Sequence, residues 1–137
     1  MNKLGYREEL LPGLVAHAVV TIANPKNTEE LAIEKFTTLE LKEGAFLTQI
    51  KVPVSNLHLP STSLKRTRTS KVGYPVVSLA ALVKEDRIRV AFSGINTYPF
   101  RSAVIESIIN DQTLDDKQRT DKAIAKLPST ISDDVIA

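Results

Sequence analysis

The sequence predicts an α+β fold, a small antiparallel sheet with helices packed on one side, preceded by a few further strands. Three observations carry that prediction. Residues 75–84 are apolar on both faces, as a central strand covered from each side must be. Across the polar turn Lys84-Glu85-Asp86-Arg87, the segment 88–92 puts Ile88, Val90 and Phe92 on one face and Arg89 on the other, which makes the pair a hairpin. Two helical patterns follow: Val104, Ile105, Ile108 and Ile109 form one stripe over 101–110, and a second helix runs from 114 to about 126. Thr113 is the expected N-cap of that second helix, with Asp115 and Asp116 in its first turn.

The first part of the chain is less regular. Residues 9–16 are short and apolar around Pro12-Gly13, and 17–22 have the β-branched content of a strand that Asn24-Pro25-Lys26-Asn27 stops. After a more polar stretch over 28–43, Gly44 leads into 46–52, where regular alternation places Phe46, Thr48, Ile50 and Val52 on one face and Pro53 marks the end. The stretch 53–62 holds two prolines and several hydroxyl residues and reads as a connection, which puts a boundary near residue 60. Residues 1–60 offer too little apolar surface to stand as a domain. Beyond the connection, 62–69 reads as a polar strand, and Ser132-Asp133-Asp134 begins a helix that the chain does not complete, so a truncated chain is expected.

Composition narrows the function classes. The chain has 137 residues and a formal net charge of +2, too balanced for a protein that coats a polyanion. It has no cysteine, hence no disulfide and no thiolate ligands for zinc or an iron–sulfur cluster. No apolar run approaches a membrane span, and a cytoplasmic setting is the expectation. His17 and His58 have no carboxylate or cysteine cluster beside them, and the serines at 61–63 stand in no nucleophile-elbow pattern. The five glycines, at 5, 13, 44, 73 and 94, form no phosphate-cradling loop. The basic run over 65–71 reads first as a solvated strand, and it lacks the aromatic residues that would stack nucleic-acid bases.

Three stretches add a resemblance. Residues 36–53, from Phe36 through Leu39, Gly44-Ala45-Phe46 and a strand ending in Pro53, are similar to the flavoprotein pattern of the molybdenum hydroxylases, the xanthine dehydrogenase and carbon monoxide dehydrogenase family, with Ala45 where that family has an acidic residue. Leu64-Lys65-Arg66-Thr67-Arg68 followed by Val76-Val77-Ser78-Leu79-Ala80 resembles the family's basic strand and the small apolar strand after it. Gly94 through Pro99-Phe100-Arg101-Ser102, with Glu106 beyond, resembles its glycine-to-"Pro-x-Arg-small" step into a helix. Arg101 reads as structural, tying that turn to a carboxylate.

The resemblance implies a reading for the whole chain: 1–60 as the partial end of an FAD-binding second lobe and 61–137 as the C-terminal domain of the FAD-binding subunit, in an electron-transfer oxidoreductase. It implies cofactor contacts at Lys65, at Glu9 and at the adjoining Leu10. Partners would be molybdopterin-binding and iron–sulfur subunits, with no nucleic acid and no membrane. FAD would belong to the complete subunit, and this chain alone would be colourless and catalytically silent. The rival expectation is a free-standing interaction module of the same fold without flavin. Stoichiometry separates the two, because an orphaned fragment should dimerise or aggregate.

Overall fold

In the computed structural model, residues 10–67 and 75–128 are described; Glu9, the end of the basic run and the Ser132-Asp133-Asp134 segment lie outside the described residues. Two antiparallel sheets are present. The first has the order β2-β1-β3, with β1 at Val19–Ala23, β2 at Thr28–Ala32 and β3 at Phe46–Lys51. The second has the order β4-β5-β6-β7, with β4 at Ser61–Thr67, β5 at Pro75–Lys84, β6 at Arg87–Ser93 and β7 at Phe100–Arg101. Helix α1 (Leu11–Val15) precedes β1 and helix α2 (Ile33–Thr37) follows β2 directly. Helices α3 (Ala103–Ile109) and α4 (Asp116–Ile124) close the described chain.

The expected hairpin is β5–β6, in register from Ser78 opposite Ser93 to Lys84 opposite Arg87. Glu85 and Asp86 both take positive φ at its turn, +51° and +58°, the mirror-image turn geometry that matches strand twist. Alternation along these strands sorts two cores. Ala80, Leu82 and Ala91 face α1 and join Leu10, Leu14, Val15, Val20, Ile22, Ile33 and Phe36. Val90 and Phe92 face the other way and join Ile105 and Ile95, with Val77, Leu79, Phe100, Ile109, Ala123 and Leu127 packed around them. Strand β5 is therefore covered on both faces, and α3 and α4 lie on one side of the sheet as the patterning predicts. The first core runs from α1, α2 and β1 into β5 and β6, which is how so little apolar surface in the first part of the chain becomes buried.

Three expectations are corrected. Strand β3 is not regular: Ile22 faces Leu47 while Thr21 faces Gln49, so Thr48 is an extra residue. This bulge reverses the phase of the alternation. Leu47 and Ile50 share the faces of Ile22 and Val20, and Phe46 points to the other side, opposite Ala23. Along α3, Ile105 is buried but Val104 is exposed, because the short helix turns only one edge toward the sheet. The N-cap of α4 is Asp115, not Thr113: Asp115 accepts from the Gln118 N–H and the Gln118 side chain accepts from the Asp115 N–H, a complete capping box. Thr113 is engaged with Asp111, donating to it from both its N–H and its hydroxyl.

The polar stretch 28–43 also contains two elements that its composition hides. Strand β2 is exposed along most of its length and is ordered by pairing with β1 from Val19–Ala32 to Ala23–Thr28. Helix α2 buries Ile33 and Phe36 in the first core. Among the described residues, no helix is long and apolar enough to cross a membrane.

Candidate functional site

Strand β4 is an edge strand, and its register with β5 sets what it presents. Lys65 pairs with Ser78 and Ser63 with Ala80, so these four share the face on which α1 sits. Helix α1 begins at Leu11-Pro12, proline being suited to the first turn because its missing N–H is not needed there. The two elements enclose an open cleft of ≈ 350 Å³ lined by Leu11, Pro12, Ser63, Leu64, Lys65, Ser78, Leu79 and Ala80. On the α1 face its lining combines Pro12 and Ala80 with Ser63 and Ser78, and Lys65 is exposed on the outer rim.

The structure thus brings Lys65 next to the start of α1. Leu10 immediately precedes that helix, but its side chain is buried in the first core and is not part of the cleft lining. Glu9 lies outside the described residues.

The opposite end of α1 is held by charge. Arg89 of β6 donates to the Val15 carbonyl at 3.4 Å. His17, in left-handed backbone at φ +55°, turns the chain from α1 into β1 and accepts a hydrogen bond at Nε2 from Arg101 of β7. Arg101 also grips Glu106 of α3 with two parallel bonds, Nε to Oε1 at 2.8 Å and Nη2 to Oε2 at 2.9 Å, and lies 3.6 Å from Glu34 of α2. Glu106 Oε1 accepts from the Val90 N–H at 3.0 Å as well. This is the tie between Arg101 and a carboxylate that the Pro-x-Arg step suggests.

The surroundings shift two of these groups. Partial burial and then the cations of Arg89 and Arg101 hold His17 below the usual imidazole range, against the pull of Glu34 and Glu106. For Glu106, burial pushes the carboxyl up, but the Arg101 bonds, the Val90 N–H and Arg89 prevail and hold it below the usual range. The cluster is a hydrogen-bonded structural knot rather than a metal centre: among the described residues, no group of three or more His, Cys, Asp or Glu could hold a metal ion.

Sequence reasoning found Lys65 and Arg101 but not Arg89, Glu34 or the Lys65–α1 juxtaposition. In the sequence Arg89 stands out only as the charged residue on the strand face opposite Ile88, Val90 and Phe92. His17 and Arg101 are 84 positions apart, and nothing local in the sequence joins them.

Two antiparallel sheets with short helices define the chain as a small α+β protein, and known structures share that fold. Quinoline 2-oxidoreductase from Pseudomonas putida 86 matches at a TM-score of 0.72 with 16% identity, over 95% of this chain and 50% of that one. Carbon monoxide dehydrogenase from Hydrogenophaga pseudoflava, in a form lacking the Mo-pyranopterin moiety of the molybdenum cofactor, matches at 0.70 with 16% identity, over 93% and 51%. Reconstituted CO dehydrogenase from Oligotropha carboxidovorans matches at 0.66 with 20% identity, over 90% and 46%. The chain spans about half the length of the chains it matches. No protein-family model and no curated protein matches its sequence.

Proposed function

We propose that this chain is the C-terminal part of the FAD-binding electron-transfer subunit of a molybdenum hydroxylase-type oxidoreductase, silent alone and active only when joined to a lobe that grips the flavin phosphates. The observation that carries the reading is the fold match to oxidoreductase chains over 90–95% of this chain and only about half of theirs. Residues 1–60 would complete the second flavin lobe and 61–137 would form the C-terminal domain. Molybdopterin-binding and iron–sulfur subunits would be the electron-transfer partners.

In this reading the cleft beside Lys65 would take the ring end of FAD, and the phosphates would be held by the missing lobe. Pro12, with Ala80 beneath it, offers a small apolar surface for a flat ring, with Ser63, Ser78 and Lys65 as polar groups beside it. The glycines, scattered through the sequence, form no glycine-rich loop of the kind that cradles a pyrophosphate. When bound, the flavin would supply the ability to take electrons in pairs and release them singly. Lys65 would place a positive charge where negative charge accumulates on reduction, favouring it by Coulomb attraction. The resemblance implies a further cofactor contact at Glu9, which lies outside the described residues.

Flavin content tests the reading. The purified chain is expected to be colourless and to retain no stoichiometric FAD, whereas a yellow preparation at one FAD per chain would overturn the division of labour between the two parts. In the assembled flavoprotein, Lys65→Met is expected to lower the flavin midpoint potential with FAD still bound. An unchanged potential would remove Lys65 from the site.

A further inference from the structure

Helix α1 has two functional ends. Leu11 and Pro12 at its start form a wall of the Lys65 cleft, and its finish is clamped by two arginines from the four-stranded sheet. With only five residues, this helix has too few internal hydrogen bonds to be stable alone, so its position depends on what holds it. Ala16 N–H to Pro12 O at 3.0 Å and Ala18 N–H to Gly13 O at 2.9 Å are the bonds that close its last turn.

We infer that the hydrogen bond from Arg101 to His17 Nε2 is an acid-releasable latch, which holds the end of α1 against the sheet and so fixes the Leu11–Pro12 wall of the cleft.

The chemistry of the acceptor makes the latch one-way. Nε2 accepts only while it carries no proton; once protonated it becomes a donor and faces a guanidinium that has no acceptor to offer. Every element packed around His17 contributes a charge. Arg89 of β6 and Arg101 of β7 repel the imidazolium, while Glu34 of α2 and Glu106 of α3 attract it. Glu106 is already occupied by Arg101 Nε and Nη2 and by the Val90 N–H, so it is not free to re-pair with His17.

Because the folded pKa lies below the unfolded one, the latch is fully present above the ordinary imidazole value of about 6.5 and weakens as pH falls below it. Control of a flavin-ring site by this device rests on the proposed function. The latch itself rests only on the contacts around His17.

The test is hydrogen exchange on the full chain, reading protection factors at the Ala16 and Ala18 amides from about pH 7.5 to about pH 5. The wild-type chain is expected to lose protection several-fold across that window, in step with the His17 imidazole titration followed by NMR. His17→Gln, neutral throughout, is expected to give a flat profile. His58→Gln is expected to behave as wild type.

Equal loss of protection in His17→Gln and wild type would overturn the inference, and so would a flat wild-type profile. Circular dichroism of each variant shows that the chain remains folded. Flavin content plays no part in the readout, so failure of the latch and failure of the flavin reading are seen separately.

Discussion

Asn110 pairs with Ile88 through both ends of its side-chain amide: Oδ1 accepts from the Ile88 N–H at 2.8 Å and Nδ2 donates to the Ile88 carbonyl at 2.8 Å. Strand β7 pairs only with Ala91 and Phe92, which leaves the first half of β6 without a strand on that side. Asn110 and Glu106, one turn apart on the α3 side, satisfy Ile88 and Val90 in its place. The helix therefore completes the sheet edge chemically as well as by packing, and it blocks further strand addition there.

Replacing Asn110 by alanine should consequently destabilise the chain by about 1–3 kcal/mol, because two partly buried backbone groups lose their partners together. Asn110→Asp keeps the acceptor and loses the donor, so it should fall between alanine and wild type. Urea unfolding at neutral pH measures both, and a neutral Asn110→Ala would show that water replaces the amide without loss.

The pair formed by Glu106 and Arg101 predicts a different pH window. Their side chains are 14% and 18% exposed, so the bidentate bond is screened far less than a surface pair. Burial opposes ionisation of Glu106, yet the Arg101 and Val90 bonds overcome it and the folded pKa is lowered. The resulting stability is present above the ordinary carboxyl value and is lost as pH falls through the folded one. Glu106→Gln preserves an acceptor for Val90 but removes the charge. It is expected to cost about 1–3 kcal/mol near neutrality and to unfold with a shallower acid dependence than wild type. Matching acid slopes in the two proteins would mean that another carboxyl governs acid unfolding.

How much of this was legible in the sequence depends on where each element draws its order. The β5–β6 hairpin carries its own local signal and stands as read. The Pro99-to-Arg101 step also leads into α3, but Phe100–Arg101 is strand β7 and the helix begins only at Ala103, after Ser102 as N-cap, because pairing with β6 holds that segment extended. Strand β2 carries no such local signal: Glu29 and Glu30 are poor strand formers, and it is β1 that orders them, with Lys51 of β3 paired to Glu30 across that strand. Helices α1 and α2 have five residues each, less than two turns, so no periodicity could reveal them. The bulge at Thr48 is likewise a property of the pairing with β1, where its hydroxyl donates to the Thr21 carbonyl. The candidate site divides in the same way. Lys65 was visible in the basic run and the resemblance, while the wall opposite it and the clamps on His17 exist only once distant segments meet.

Gly13 offers the most direct check on how α1 is seated. A Cβ built there would lie 2.6 Å from Ile33 Cδ1 and 3.5 Å from Ala18 Cβ, the first well inside van der Waals contact. Ile33 is itself 1% exposed in the first core, so its terminal methyl can give way only by repacking among its neighbours. Gly13→Ala should therefore destabilise by about 1–3 kcal/mol through overpacking, despite alanine's better helix propensity. Ile33→Val removes the offending Cδ1 and alone should cost about 0.5–1.5 kcal/mol. Combined with Gly13→Ala, it vacates the space that the new methyl occupies, so the double variant should be more stable than the sum of the single effects implies. Strict additivity in thermal or urea unfolding would mean that α1 does not rest on α2 at this point.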